Sequence, residues 1–294
     1  MSVQERVKAI SRNTGLTINQ RATTAKIELC GMCTLNCRFC VHKEMKAKGI
    51  RQKMMTMDDL KLVLKWLKKY RPDVKEVGLF YMGESGMNPI LPEAYALLKE
   101  NGYFTYLTTN GTVIDNILPA IPFIDSLKVS WNYKDLDDFE DKTGMSAPTF
   151  AKIVVNIEIL HRVCHEDGKP FAISTVLDGA KEDYSRWIDA LPYDEHYWIP
   201  LQTQGGAYEE GQDGVIGESE SSVKPLPCWS LFKGVYVDVD LNVRTCCYGH
   251  KKEHIIGNLR NDNWAAIPDF NRKARELHLA GKIPVMCQRC LRNQ

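Results

Sequence analysis

The sequence predicts an α/β protein with a parallel sheet, followed by a small second domain. Strand-like and helix-like segments alternate from about residue 26 to residue 202, which is the pattern of successive β/α units. Residues 204–227 are rich in Gly, Glu, Ser and Gln, a composition typical of a linker or flap. Beyond them, apolar and polar residues alternate as they do in a β-hairpin.

The first part contains six predicted strands and five predicted helices. Residues 57–70 have an amphipathic pattern, residues 89–100 place a proline in the first helical turn, and Thr149 is the expected cap of a long helix. Strands are predicted at 26–30, 74–82, 103–109, 126–132, 171–177 and 196–202, and helices at 57–70, 89–100, 113–121, 149–164 and 182–191. This order predicts a partial (β/α)6 TIM-like barrel whose strand-to-helix loops share one rim, where such barrels place their chemistry.

The second part is predicted to be a β-hairpin plus a helix. Residues 234–240 and 243–246 form the two strands around a turn at 241–242, and the helix covers about 264–279. We therefore expect an N-terminal extension at 1–23, the barrel at 24–204, a linker at 205–223 and the second domain at 224–294.

Composition favours a cytoplasmic enzyme. The 294 residues include no apolar run long enough to cross a bilayer, so no membrane partner is expected, and the first residues lack the apolar core of a signal peptide. In a cytoplasmic protein, ten cysteines indicate metal ligation rather than disulfides.

Charge is unevenly spread although the net charge is only +1. Residues 41–71 contain ten Lys or Arg against three acids, and residues 181–222 contain ten acids against two bases. The basic stretch suits an anionic substrate or nucleic acid, or else a solvated loop and outer helix face. The near-neutral total and the absence of interleaved aromatic residues favour the solvated face.

Cys30 ends the first predicted strand, and the three cysteines that follow it, Cys33, Cys37 and Cys40, have the spacing Cys-x3-Cys-x2-Cys. Three thiolates hold three irons of a [4Fe–4S] cluster and leave the fourth iron open to another ligand. The alternatives are a structural zinc site or inert buried thiols. Zinc prefers four ligands in paired Cys-x2-Cys knuckles, so this triplet favours the cluster.

The triplet, with Phe39 before its last cysteine, resembles the signature of the radical S-adenosylmethionine (SAM) superfamily. The resemblance implies that the open iron chelates the amino and carboxylate groups of SAM. It further implies that one electron, supplied by a flavodoxin or ferredoxin, cleaves SAM to a 5′-deoxyadenosyl radical that takes a hydrogen atom from the substrate. Cys30 and Cys164 are expected to be ordinary partly buried thiols.

The end of the second predicted strand resembles the Gly-Gly-Glu-Pro motif of the superfamily. Gly83 and Glu84 match it, whereas Met82 replaces the first glycine and Ser85 the proline. The resemblance implies that Glu84 meets the SAM amino group. A buried glutamate at a strand end is costly unless it is paired, and a ligand ammonium is a natural partner.

The next two strand ends resemble further SAM contacts. Thr109 and Asn110 match a Thr-Asn-Gly motif, for which a plain Asn-Gly turn is the alternative. Ser130 and Asn132 end the fourth strand, where relatives use a serine for the SAM carboxylate or ribose. Lys142 aligns with an arginine that grips the carboxylate in some relatives, but lysine lacks the bidentate fork.

A second cysteine set follows the linker, and its order resembles the twitch domain, the shortened form of the SPASM domain behind many radical-SAM barrels. Those domains carry Gly-x4-Cys at the hairpin, and here Leu241 holds the glycine position, which favours Cys246 over Cys247. The predicted ligands of a second, auxiliary [4Fe–4S] cluster are Cys228, Cys246, Cys287 and Cys290. Zinc is the alternative, because four thiolates also suit it.

The resemblance implies oxidation of a small molecule, such as a sugar or aminocyclitol alcohol, with the auxiliary cluster as electron acceptor. The alternatives are radical modification of a ribosomal peptide, modification of a nucleotide or nucleic acid base, and a non-enzymatic cluster-bearing sensor. The sequence assigns no catalytic base among the residues near the predicted domain junction, which are Tyr236, Asp238, Asp240, Gln202 and Gln204.

Overall fold

The computed structural model describes residues 15–200, 227–267, 271–284 and 287, together with residues 5, 9 and 12. Its strands are β1 Thr24–Ile27, β2 Glu76–Gly78, β3 Phe104–Thr109, β4 Ser126–Ser130, β5 Phe171–Leu177, β6 Glu195–Pro200, β7 Gly234–Val237, β8 Asn242–Arg244 and β9 Ile255–Asn258. Its helices are α1 His42–Ala47, α2 Met57–Tyr70, α3 Leu91–Glu100, α4 Leu136–Thr143, α5 Ala147–Glu166, α6 Ser185–Ile188, α7 Trp229–Lys233 and α8 Arg272–Leu279.

The described strands form one sheet in the order β6-β5-β4-β3-β2-β1-β7-β8-β9. Strands β1 to β6 are adjacent in chain order, and each pairs in parallel with the next. This arrangement confirms the predicted α/β class with a parallel sheet. Because parallel strands all end at the same rim, the loops that follow β1 to β5 lie together there.

Helix α2 shows how the sequence fixes one outer helix. Thr56 accepts a hydrogen bond from the Asp59 N–H and Asp59 accepts one from the Thr56 N–H, which closes a capping box at the helix start. The apolar side of the helix packs into the core through Leu60, Val63, Leu64, Trp66 and Leu67. Its lysines at 61, 65, 68 and 69 are exposed, which agrees with a solvated outer face for that part of the basic stretch.

Three predicted helices differ from the structure. The segment predicted as a helix at 113–121 forms a 3₁₀ helix at Leu118–Phe123, where Pro119 and Pro122 have no N–H to donate. Thr149 was the wrong cap, since α5 begins at Ala147 after the extended residue Ser146, with Pro148 in the first turn. The segment predicted at 182–191 is a short 3₁₀ turn followed by α6.

Helix α4 was missed by the sequence analysis. Asp135 caps it by accepting a hydrogen bond from the Asp138 N–H, and Gly144 ends it with φ of 68°. The helix has only two turns, so its apolar pattern is too short to be recognised as periodic. It carries Lys142, one of the predicted SAM contacts.

The C-terminal hairpin extends the sheet of the barrel. Strand β7 pairs in parallel with β1, and β8 and β9 follow it in antiparallel order. The sequence predicted β7 and β8 but missed β9. The predicted linker lies outside the described residues, and the predicted helix at 264–279 is described as α8, which begins at Arg272.

No helix in the described ranges combines the length and apolar character needed to cross a membrane.

Candidate active site

The cysteine loop, residues 31–41, runs from the end of β1 to α1 and is attached to several neighbouring rim loops. At its base, the His42 ring contacts the Gly31 carbonyl, with 2.9 Å from Nε2 to O. The hydroxyls of Thr34 and Thr112 lie 2.6 Å apart, and the Arg38 N–H donates to the Lys142 carbonyl at 2.7 Å. These contacts hold the loop over the strand ends before any ligand binds.

The three predicted cluster thiols lie close enough to act on one another. Burial, followed by the negative charges of Cys40 and Cys33, raises the pKa of Cys37 well above its usual value. Burial and the Glu84 charge raise the pKa of Cys33 to about 12. Phe39 packs against Cys37, Cys40 and Val176, which attaches this side of the loop to β5.

Cys30 stands apart from this group. It is buried, and its thiol lies 3.6 Å from the Met32 carbonyl oxygen. Burial raises its pKa to about 11, and the charges that act on it are those of Glu84 and Glu28. The structure thus describes Cys30 as a buried thiol beside the strand end.

Glu84 lies beneath the cysteine loop because the chain leaves the sheet early. Strand β2 ends at Gly78, earlier than predicted, and the Glu84 N–H donates to the Met32 carbonyl at 2.7 Å. At Gly83 a Cβ atom would lie 2.2 Å from the Cys30 carbonyl oxygen and 2.6 Å from that of Met32. Only glycine permits this close approach of the two loops.

The Glu84 carboxylate is buried and held by three donors. Oε1 accepts from the Gly86 N–H at 3.0 Å and from the Thr109 hydroxyl at 2.8 Å, and Oε2 accepts from the Asn110 N–H at 2.8 Å. Burial raises the pKa of Glu84. In the described part of the chain no Lys, Arg or His forms an ion pair with it. One acceptor site on Oε2 therefore stays available for a cation.

Asn110 connects this carboxylate to the cysteine loop. Its Nδ2 lies 3.4 Å from Cys33 Sγ and 3.2 Å from Thr34 Oγ1, and its Oδ1 accepts from the Thr112 N–H at 2.9 Å. The residues of the two predicted motifs, Glu84 and Thr109–Asn110, are thus brought together beside Cys33.

The residues predicted around the fourth strand have different surroundings. Ser130 is the last residue of β4 and is half-buried. Asn132 is buried, and its Oδ1 accepts from the Val176 N–H at 2.8 Å. Lys142 is fully buried, and its ammonium contacts Asp138, Asp178, the Asn132 carbonyl and the Tyr184 hydroxyl at 2.8 to 3.2 Å. A lysine ammonium has three protons, so these four contacts use its donor capacity.

Each described member of the second cysteine set lies near Tyr236, near His278 or near both. Tyr236 is buried, and its pKa is raised by burial and then by the charges of Cys247, Cys246 and Cys228. His278 accepts from the Cys228 N–H at Nδ1, at 3.1 Å, and its Nε2 lies 3.4 Å from Cys287 Sγ. Cys290 lies outside the described residues.

Leu241 adopts the conformation usually reserved for glycine. Its φ is 65°, and its side chain is buried in the main core. A positive φ costs energy for a residue with a Cβ atom, so the turn geometry is imposed by the surrounding structure. This is the position that sequence analysis aligned with a family glycine.

Two residues near the second cysteine set were missed by sequence reasoning. His278 lies in the last turn of α8, and a histidine nine positions before a Cys-x2-Cys pair is the signal that could have found it. Tyr81 joins the two sites: its hydroxyl donates to the Cys246 carbonyl at 2.8 Å, and its ring stacks on that of Tyr236, with centroids 6.0 Å apart.

A buried ion network fills the junction between β1 and the hairpin. Arg51 contacts Glu28 at 3.1 Å and Asp238 at 3.8 Å, and Arg244 contacts Asp238 at 2.5 Å. Burial raises the pKa of Glu28 to about 7, against the opposing effect of Arg51. Asp240 pairs with Lys53 at 2.6 Å. Both hairpin aspartates named as base candidates are thus held in ion pairs, while Gln202 and Gln204 lie outside the described residues.

The sequence model of the Radical SAM superfamily matches residues 27–184, the region that contains the cysteine loop and the strand ends described above. The chain belongs to the radical SAM superfamily. No protein among the curated sequences matches the chain. Membership implies a [4Fe–4S] cluster and SAM as cofactors, and the loop with its three adjacent thiols provides the soft ligands that iron–sulfur clusters require.

Solved structures with SPASM-type radical SAM folds are similar over most of the chain. The structure of BtrN in complex with AdoMet and 2-DOIA has a TM-score of 0.54 and 12% identity, and covers 87% of each chain. The anSMEcpe structure with AdoMet and the Cp18Cys peptide has a TM-score of 0.62 and 14% identity, and covers 92% of this chain and 86% of that one. The structure of Streptococcus suis SuiB bound to precursor peptide SuiA has a TM-score of 0.55 and 13% identity, and covers 97% of this chain and 72% of that one. At these identities the likeness shows the fold.

Proposed function

We propose that Cys33, Cys37 and Cys40 hold the SAM-binding [4Fe–4S] cluster and that Glu84 receives the SAM ammonium. When bound, the cluster supplies the electron that cleaves SAM reductively to the radical that abstracts a substrate hydrogen atom. The thiols have raised pKa values when no metal is present, and iron would offset the repulsion among their thiolates. Cys30 stays outside this ligand set.

The other predicted SAM contacts are proposed to have three different roles. Thr109 and the Asn110 backbone N–H hold the Glu84 carboxylate, so they position it for the ammonium. Ser130 and Asn132 lie at the next strand end and are proposed to face the ribose or carboxylate of SAM. Lys142 is proposed to act from a distance, because its donors are engaged while its positive charge opposes part of the rise in the pKa of Cys37.

We propose further that Cys228, Cys246, Cys287 and Cys290 hold an auxiliary [4Fe–4S] cluster. Three of these cysteines support this, since Cys228 and Cys246 act on Tyr236, and Cys228 and Cys287 contact His278. Four thiolates would close the site to substrate, which suits electron transfer rather than catalysis at the metal.

The proposed reaction is oxidation of a small-molecule alcohol, such as that of a sugar or aminocyclitol. The observation that carries it is the contact from Tyr81 to the Cys246 carbonyl, because Tyr81 is three residues before Glu84. An electron acceptor would therefore lie beside the same rim that holds SAM. Removal of a hydrogen atom from an alcohol carbon leaves a radical that must lose one electron and one proton to become a carbonyl, and this acceptor would take the electron.

Radical modification of a peptide is the second candidate. Two of the three similar structures reported above contain a peptide, in anSMEcpe and in SuiB. These proteins share the fold of this chain at 13 to 14% identity. Their support for a peptide substrate therefore rests on the similarity of the fold.

The test uses full-length protein reconstituted anaerobically with iron and sulfide, SAM and a chemical reductant. Substrates deuterated at the reacting carbon are offered in two groups, sugars and aminocyclitols including 2-DOIA precursors, and short peptides. The expected result, seen only with alcohols, is deuterium transfer to 5′-deoxyadenosine and a product three mass units lighter than the deuterated substrate. Transfer only from peptides would replace the first candidate with the second.

The role of the auxiliary set is tested with two cysteine variants. Cys37→Ala is expected to abolish 5′-deoxyadenosine formation, whereas Cys287→Ala is expected to keep it and to give little oxidised product. Circular dichroism serves as the folding control, because loss of a cluster can unfold a small metal-dependent domain. Full product from folded Cys287→Ala would show that the auxiliary set is not the electron acceptor.

A further inference from the structure

A second group of metal-binding side chains lies at the opposite end of the barrel. His161 and His165 are one turn apart near the end of α5, and Asp194 directly precedes β6. The proposed SAM and cluster residues follow the carboxyl ends of the strands, whereas this group lies at the amino ends of β5 and β6. It is therefore separate from the site described above.

The three side chains present their ligand atoms to one point. One ligand atom from each residue lies within 4.8 Å of the other two. His165 Nε2 and Asp194 Oδ1 are 2.7 Å apart, and the two imidazole rings have centroids 4.2 Å apart. The other oxygen of Asp194 accepts from the Phe171 N–H at 2.7 Å, so the carboxylate is already held in position by β5.

We propose that His161, His165 and Asp194 bind a divalent transition metal ion of the zinc class. Histidines four residues apart lie on one face of a helix, so both rings reach the same ion. Two imidazoles and a carboxylate, with water in the fourth position, form a ligand set that zinc accepts at about 2.0 to 2.2 Å from each ligand atom. Mg²⁺ and Ca²⁺ prefer oxygen ligands, so the two imidazoles select against them.

A simple surface ion pair between His165 and Asp194 is the competing interpretation. It explains the contact of 2.7 Å between His165 and Asp194, but it gives the ring nitrogens of His161 no role. The ring of His161 lies against that of His165 and, edge to face, against Phe171 at 5.6 Å. A metal ion uses all three groups, whereas an ion pair uses two.

The position of the site indicates its consequence. Strand β6 is the edge strand of the sheet, so among the described strands it pairs with β5 alone. A metal ion bound by α5 and by the residue before β6 would join the start of the edge strand to the end of that helix. We therefore expect the ion to stabilise this end of the barrel without taking part in SAM chemistry.

The test measures zinc binding to the full-length protein after anaerobic reconstitution of its clusters and desalting. Zinc is titrated against a chromogenic chelator, and bound zinc is counted by mass spectrometry in the wild type, in His161→Ala/His165→Ala and in Asp194→Asn. Glu166→Gln, on the same helix and outside the triad, is the matched control. The side chain introduced by Asp194→Asn retains an oxygen for the Phe171 N–H. A change in zinc affinity in this variant therefore reports the loss of the negative charge of Asp194.

The expected result is one additional zinc per chain in the wild type and in Glu166→Gln. The zinc affinity should fall by more than about tenfold in Asp194→Asn, and the double variant should not bind this zinc. The melting temperature should rise with zinc in the wild type and stay unchanged with Mg²⁺. Equal zinc affinity in the double variant would place the ion in the cysteine sets and overturn the proposal. Absence of bound zinc in the wild type would also overturn it.

Discussion

Replacement of Glu84 by glutamine should weaken SAM binding strongly while leaving the fold intact. The carboxylate has three protein donors and, among the described residues, no ion-pair partner, so a ligand ammonium is the cation it lacks. A hydrogen bond to a charged group contributes about 1.5 to 3 kcal/mol. Loss of that contribution raises the Kd for SAM about 10- to 150-fold.

The effect on stability should be small because two contributions oppose each other. The glutamine oxygen can keep the Gly86 and Thr109 bonds, but its amide N–H₂ would face the Asn110 N–H, which costs about 1 to 3 kcal/mol. Removal of a buried charge offsets this cost, since burial already disfavours the ionised form and raises the pKa of Glu84.

Isothermal titration calorimetry on reconstituted protein measures the change. SAM and 5′-methylthioadenosine are compared as ligands, because the second lacks the methionine ammonium and should bind the wild type and Glu84→Gln equally. A Kd for SAM that changes less than about threefold in a folded variant would refute the assignment of Glu84. Equal losses for both ligands would instead indicate that the pocket had deformed.

Three further predictions follow from the geometry. Cys30→Ala should retain 5′-deoxyadenosine formation in the same assay that finds none for Cys37→Ala, and loss of the site cluster in Cys30→Ala would contradict the ligand set. Gly83→Ala should lower the free energy of unfolding by about 1 to 3 kcal/mol or more, because its Cβ would overlap two carbonyl oxygens, and urea titration measures this. Gly102→Ala, which meets no neighbouring atom, should cost only about 1 kcal/mol through its φ of 77°, so an equal loss in both would contradict the packing argument. His278→Ala should alter the electron paramagnetic resonance signal of the auxiliary cluster and leave the signal of the SAM-binding cluster unchanged. His278→Gln should restore part of the auxiliary signal. An auxiliary signal that is unchanged in both variants would show that the contact between His278 Nε2 and Cys287 does not influence the cluster.

Long periodic or apolar segments made the barrel predictable from sequence. Helix α2 has the predicted bounds because an amphipathic pattern and a capping box coincide at its start. Strand β5 also has the predicted bounds, as a run of seven residues of which the first five are buried. In both elements the local conformational preference agrees with the tertiary contacts, so the sequence pattern is sufficient to predict the bounds of the element.

Site residues were predictable from sequence where a motif lies at a strand end. They were not predictable where tertiary contacts determine the position of the side chain. Glu84 and Asn110 are 26 residues apart, yet adjacent parallel strands bring them to the same rim. Strand β2 is shorter than predicted because the contact from the Glu84 N–H to the Met32 carbonyl draws the chain out of the sheet. No local pattern encodes this contact, and the same holds for the burial of Lys142 among Asp138, Asp178 and Tyr184.

The pairing of β7 with β1 explains how two cysteine sets in separate parts of the sequence can serve one reaction. Strand β1 leads toward the cysteine loop, and β7 leads into the hairpin with Cys246, so two adjacent strands place these two parts of the chain side by side. The buried pairs of Arg51 with Glu28 and Asp238 connect these strands, and breaking one such pair leaves an uncompensated buried charge. The position of Cys246 relative to the cysteine loop is therefore fixed by the sheet. If Cys246 holds the proposed electron acceptor, a substrate at the rim would meet that acceptor at a position set by the pairing of β1 with β7.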